Sequence, residues 1–174
     1  MIVWLCFICL VSTSSSPHAR EPELLTDPHV SPFVSGVLEI PGGTGPYPAV
    51  ILLHGAGGWD ERYPRLAKLF ADSGFVALAL DYYANAGYAP IGSDDKIEKW
   101  PAYQAAVQNA VEYIGTLPAV VGRPVGLVGF SRGAFLAVSV ASSLESVKAV
   151  VDFFGGGVAA PSRLNRRFGV SPRC

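Results

Sequence analysis

Four mainly apolar runs of strand length recur along the chain, each followed by a glycine-rich or polar break. They are Ala49–Leu53 (AVILL), Phe75–Leu80 (FVALAL), Pro124–Phe130 (PVGLVGF) and Val147–Phe154 (VKAVVDFF). Near-continuous runs, unlike alternating ones, predict strands buried on both faces, as in a parallel sheet. Between them the spacing changes to three and four residues. Tyr63, Leu66, Leu69 and Phe70 predict one helix, with Asp60 placed to cap it and Gly74 placed to end it. Tyr103, Ala106, Val107, Ala110, Ile114 and Leu117 predict a second, closed by Pro118; Ala134, Phe135, Ala137, Val138 and Ala141 predict a third. Alternation of strands with helices of this length predicts an α/β domain: a mostly parallel sheet flanked by helices, joined by right-handed crossovers.

The remaining segments frame that domain. Phe33–Ile40 (FVSGVLEI) reads as an outer strand, followed by a turn cluster at Pro41–Pro46. Residues 17–32 are polar and proline-rich and read as an extended lead-in. Residues 84–93 form a loop rich in Gly, Asn and Pro. The strand–helix pattern covers 33–157; residues 158–174 carry Arg163, Arg166, Arg167 and Arg173 with scattered apolar positions and read as a basic tail.

Residues 1–16 look like a secretory signal peptide. Ile2–Val11 is an apolar run too short to span a bilayer comfortably, and Ser12–Ser16 offers small residues for cleavage, although no Lys or Arg precedes the run. An uncleaved membrane anchor or a buried N-terminal strand is the alternative. Removal of that segment would take Cys6 and Cys9 with it, leaving Cys174 and neither an internal disulfide nor a cysteine metal site. A net charge of −1 gives no case for a nucleic-acid partner. No motif calls for a metal or cofactor.

The chemistry concentrates at Gly129-Phe130-Ser131-Arg132-Gly133, a G-x-S-x-G between a predicted strand and a predicted helix. A turn that sharp admits only glycine two residues to either side of the serine, and it lifts Ser131 out of the core. The helix start behind it favours negative charge beside the serine oxygen. A second loop, His54-Gly55-Ala56-Gly57-Gly58, follows the AVILL run and can bring backbone N–H groups close to a ligand. Both loops lie at the carboxyl ends of predicted strands.

HGAGG, Asp81-Tyr82-Tyr83, GFSRGA and FFGGG, in that order, resemble the dienelactone hydrolase family of α/β-hydrolases over Val34–Gly157; the resemblance implies a partial α/β-hydrolase domain over 33–157 with the family's C-terminal units missing and a basic tail unlike the family over 158–174. Many members place cysteine at the elbow, where this chain has Ser131. The resemblance implies a serine hydrolase acting on a small-molecule carboxylic ester, thioester or lactone. Ser131 would be the nucleophile, the backbone N–H groups of Ala56 and Arg132 would hold the oxyanion, and Gly55 and Gly57 would line the binding loop. His54 would support that loop rather than act as a base. In this fold the acid and histidine follow the serine, yet the histidines here are His18, His29 and His54, all preceding Ser131. Turnover by this chain is therefore expected to be negligible, and a catalytically inactive ligand-binding or partial product on the same fold is the second reading. Asp152 is a candidate displaced acid, or a carboxylate at a strand end. Asp81 is expected to contact backbone or an arginine. The resemblance also places Val147–Phe154 as the second neighbour outward from the elbow strand, normally covered by two more strands. Here it would be an exposed apolar edge that invites self-association.

Overall fold

The computed structural model describes residues 23–25, 34–87 and 99–155. The candidate signal segment, most of the lead-in, Gly156, Gly157 and the basic tail lie outside the described residues.

Six strands and four helices alternate along the described chain. β1 (Glu23–Leu25), β2 (Gly36–Glu39) and β3 (Tyr47–Leu53) are followed by α1 (Arg62–Asp72) and β4 (Val76–Leu80). Short α2 (Tyr82–Asn85) and long α3 (Trp100–Ile114) precede β5 (Val120–Phe130), α4 (Arg132–Ser143) and β6 (Val147–Phe153). The strands form one sheet in the order β1-β2-β4-β3-β5-β6. β4, β3, β5 and β6 run parallel, while β1 and β2 pair antiparallel at one side. The α/β architecture expected from the pattern is the one observed.

The apolar runs are continuous because both sheet faces are covered. Ile51, Leu53, Leu78, Leu80 and Leu127 pack with Tyr103, Val107 and Ile114 of α3 and with Leu136 and Val140 of α4. Their alternates Val50, Leu52, Ala77, Ala79 and Val128 pack with Tyr63 and Ala67 of α1 on the opposite face. Full burial of a Leu or Ile side chain contributes about 1.5–3 kcal/mol, so the central strands anchor everything built at their ends.

Several boundaries and faces differ from the sequence reading. The lead-in contributes β1, so β2 is flanked on both sides and its four residues are all buried. Val147–Phe153 is the immediate neighbour of β5, not its second neighbour outward. Leu69 is 61% exposed and Phe135 42% exposed, although both fit an apolar helical stripe. Tyr63 on α1 and Ala134, Ala137 and Ala141 on α4 are buried as the stripes predict, and Ala67, Ala71, Leu136 and Val140 are buried beside them. Alanine recurs on both sheet-facing sides, between larger residues such as Tyr63 and Leu136, where helix and sheet approach closely. The caps are shifted by one residue: the N-cap is Glu61 and the C-cap Ser73, while Asp60 Oδ1 just before accepts from the Arg62 N–H at 2.9 Å and Gly74 just after adopts φ +88°.

Candidate active site

β5 ends at Phe130, and the chain reverses at Ser131 into α4. Ser131 adopts φ 51°, ψ −111°, a conformation that costs an ordinary residue about 1–3 kcal/mol. The turn is held by the Ser131 N–H, which donates to the Phe153 carbonyl of β6 at 2.7 Å, and by the Phe130 ring stacked on Phe153 at 5.1 Å. Packing dictates both flanking glycines. A Cβ on Gly129 would stand 2.4 Å from Ala134 Cα, and one on Gly133 would stand 2.3 Å from the Leu53 carbonyl oxygen. Ser131 itself is exposed, as the pentapeptide predicts.

The HGAGG loop abuts this elbow. A Cβ on Gly55 would approach the Phe130 carbonyl at 3.3 Å and Ser131 Cβ at 3.6 Å. Ala56, Ser131 and Arg132 line one open cleft of about 450 Å³, whose walls are Trp100 and Phe135. Gly57 is exposed beside that cleft and a Cβ there would meet nothing within 4 Å. Another depression, of about 200 Å³ and lined by Gly42–Gly45, Tyr47 and Ala119, lies at the opposite ends of the strands, away from the serine.

Most polar groups of the HGAGG loop are engaged from beneath. The His54 carbonyl accepts from the Tyr82 hydroxyl at 3.0 Å, and the Gly55 N–H donates to the Tyr63 hydroxyl at 3.0 Å. The Gly55 carbonyl faces His54 Nδ1 at 2.9 Å and accepts from the Gly58 N–H at 3.1 Å. Peptide planarity then sends the Ala56 N–H the other way, outward from the buried imidazole. Among the described residues the Ala56 N–H meets no acceptor, so it is available to an oxygen in the cleft. Arg132 is the first residue of α4, where backbone N–H groups point out of the helix end toward the same space.

His54 is fully buried and stacked on Tyr82 at 3.9 Å. Its Nε2 stands 3.5 Å from Asp81 Oδ1, an ion-pair distance longer than a directed hydrogen bond. With Nδ1 turned to the Gly55 carbonyl, neither ring nitrogen is directed at Ser131. Asp81 contacts backbone as expected, accepting from the Ala84 N–H at 3.1 Å and so capping α2, and it faces a histidine as well. Burial raises the Asp81 pKa, but the facing imidazole and the Ala84 N–H outweigh burial and leave it below the ordinary carboxyl value. Asp152 is exposed, and its Oδ1 accepts from the Gly155 N–H at 2.7 Å, the strand-end role of its two candidate roles. Among the described residues no group of three or more His, Cys, Asp or Glu side chains converges as a metal site would require.

Trp100, Phe135 and the tyrosine hydroxyls carry no short motif, and sequence reading missed them. The one available signal was the pair of tyrosines directly after Asp81 at a strand's carboxyl end.

The model of the dienelactone hydrolase family matches residues 34–170, continuing past Gly157 into the basic stretch. Acyl-coenzyme A thioesterase 5 of Mus musculus is 37% identical over 131 residues, covering 75% of this chain and 29% of that protein. Among solved structures, a dienelactone hydrolase-like promiscuous phosphotriesterase from metagenomic libraries is 25% identical. It superposes with TM-score 0.56 over 69% of this chain and 53% of its own. A dienelactone hydrolase from Anabaena variabilis shares the fold at TM-score 0.52 and 22% identity, over 68% of this chain and 56% of its own. The chain thus spans less than a third of that thioesterase and about half of those structures.

Proposed function

The chain belongs to the dienelactone hydrolase family, and on that premise we propose that it carries the nucleophile half of a serine hydrolase acting on carboxylic ester, thioester or lactone bonds. The observation that supports this reading is the exposed Ser131 at its φ 51° turn, in one cleft with the Ala56 N–H, which has no other acceptor among the described residues. In this mechanism Ser131 Oγ forms a bond to the substrate carbonyl carbon as its proton passes to a base. The carbonyl π electrons move onto oxygen, where the Ala56 and Arg132 N–H groups hold the charge. Collapse expels the alcohol or thiol and leaves an acyl-serine for water to cleave. One such donor is typically worth about 2.7–4 kcal/mol of barrier. The aromatic walls Trp100 and Phe135 suit an apolar acyl group.

The second reading, a binding protein without turnover, has its own support. His54 is the only histidine among the described residues, and it is committed to Gly55 and Asp81. Reaction with a fluorophosphonate probe separates the two. Covalent label on Ser131, absent from Ser131→Ala, supports the hydrolase reading; an unlabelled chain supports the binding reading.

Two further properties belong to this proposal. Export rests on the apolar run Ile2–Val11 followed by small residues, and is tested by finding a mature N-terminus near residue 17 after expression in a secreting host. No helix among the described residues is long and apolar enough to cross a membrane. Self-association through β6 rests on its exposed apolar edge.

A further inference from the structure

The residue after the nucleophile reaches across to the opposite loop. Arg132 Nη1 donates to the Tyr83 hydroxyl, and that hydroxyl lies 3.3 Å from the Ala56 carbonyl oxygen. A guanidinium only donates and a carbonyl only accepts, so the phenol must accept from Arg132 and donate to Ala56. Donation from a cation polarises the phenol and strengthens its own O–H as a donor.

The phenol is rigidly placed. Tyr83 is 3% exposed, and its ring contacts His54 at 4.6 Å, Tyr82 at 4.8 Å and Tyr103 at 5.1 Å between centroids. Its helix is fixed at the start by Asp81, and its first turn is tied to the strand side by Asn85, whose side chain bonds both N–H and carbonyl of Ser35.

We propose that Tyr83 is a positioning residue: held by the Arg132 guanidinium, its hydroxyl clamps the peptide bond after Ala56 and so holds Ala56, whose N–H is already aimed by the Gly55 carbonyl, in place against the elbow. This rests on the reading of Ala56 as an oxyanion donor. Ala56 sits between two planar peptides. The one before it is pinned at the Gly55 carbonyl by His54 and Gly58, and the one after it is pinned at the Ala56 carbonyl by Tyr83. Together the pins set both backbone dihedrals of Ala56. Without the second, the Ala56 carbonyl rotates and carries the Gly57 N–H with it, and the Ala56 Cα that the two peptides share is held from one side only. The 3.3 Å contact is long for O–H···O, and such contacts tighten as charge develops in the cleft. Because the outer member of the clamp follows Ser131 directly, elbow and loop are held as one unit.

The test uses the full ¹⁵N-labelled chain. Tyr83→Phe keeps the ring and deletes the oxygen; Arg132→Met keeps the length and deletes the donors while retaining the backbone N–H. In Tyr83→Phe the amide signals of Ala56 and Gly57 shift and broaden by exchange. Arg132→Met moves the same two amides less, and the double variant resembles Tyr83→Phe alone. Unmoved Ala56 and Gly57 amides in Tyr83→Phe, with only a lowered melting temperature, would reduce the phenol to packing and overturn the proposal. If Tyr83→Phe does not fold, the Ala56 and Gly57 amides of Arg132→Met decide in the same way. Where the wild-type chain takes label, fluorophosphonate kinetics give a second readout: the maximal labelling rate of Ser131 falls about 10²-fold in Tyr83→Phe, as expected for a misplaced group, with the half-saturating concentration unchanged. A wild-type chain that takes no label refutes the nucleophile reading, and the amide spectra still decide the clamp.

Discussion

Gly133 lies so close to Leu53 that a Cβ placed on it would stand 2.3 Å from the Leu53 carbonyl oxygen. This contact locks the start of α4 onto the end of β3, and it joins the serine turn to the HGAGG loop. Backbone cannot yield as a flexible side chain can. Gly133→Ala is therefore expected to lower the unfolding free energy by about 3 kcal/mol or more in urea denaturation. Gly57→Ala is the internal control. Nothing lies within 4 Å of its Cβ position, and its change is expected within about 0.5 kcal/mol. Equal effects at the two positions would contradict the packing described.

The acid limb of the stability curve is expected to separate two carboxylates. Asp81 has a depressed pKa in the fold, so the stability it contributes is present above the unfolded value of about 3.9 and is lost as pH falls through the folded value. Asp60 behaves with the same sign: its hydrogen bond from Arg62 lowers its pKa to about 2, but its side chain is 40% exposed. Salt screens the exposed pair and leaves the half-buried one largely intact. In roughly 1 M salt, Asp60→Asn should leave the curve between pH 5 and pH 2 unchanged, whereas Asp81→Asn should flatten it. Urea titrations across that pH range read the difference.

The central sheet was legible because its strands carry apolar residues on both faces, a pattern that polar-facing strands do not produce. Ser131 and its two glycines were legible because one steric constraint fixes all three. β1 was not: Glu23–Leu25 is three residues inside a proline-rich stretch, too short for periodicity to register. Leu69 and Phe135 fit the helical stripe yet face outward, since three-and-four spacing also fits residues at the margin of a buried face, whose centre on α4 runs through Leu136, Ala137, Val140 and Ala141. The Tyr83–Ala56 contact joins residues 27 apart in sequence, and only the β3–β4 pairing brings them together.

The 174-residue chain is expected to hydrolyse nitrophenyl acetate no faster than its Ser131→Ala variant. A serine hydroxyl needs a base, and losing the histidine of a serine hydrolase costs about 10⁶-fold in turnover. His54 is turned toward Gly55 and Asp81, so His54→Gln should leave that background rate unchanged as well. A rate abolished by Ser131→Ala would mean that some other group in this chain takes the serine proton, and initial-rate assays of the three proteins settle the matter.

β6 pairs with β5 on one side, and among the described residues no strand covers its other side. Val151 is 44% exposed, Phe153 43% and Phe154 87%. An open row of backbone donors and acceptors beside apolar side chains is a template for a second copy. The chain is expected to sediment as a concentration-dependent oligomer at roughly tens of micromolar, the range where unpaired edges associate. Val151→Lys places a charge on that edge without touching the elbow or the buried core. It should shift the distribution to monomer and leave the urea midpoint within experimental scatter. A wild-type chain that sediments as a clean monomer, or a lysine variant that associates as strongly, removes β6 as the contact surface.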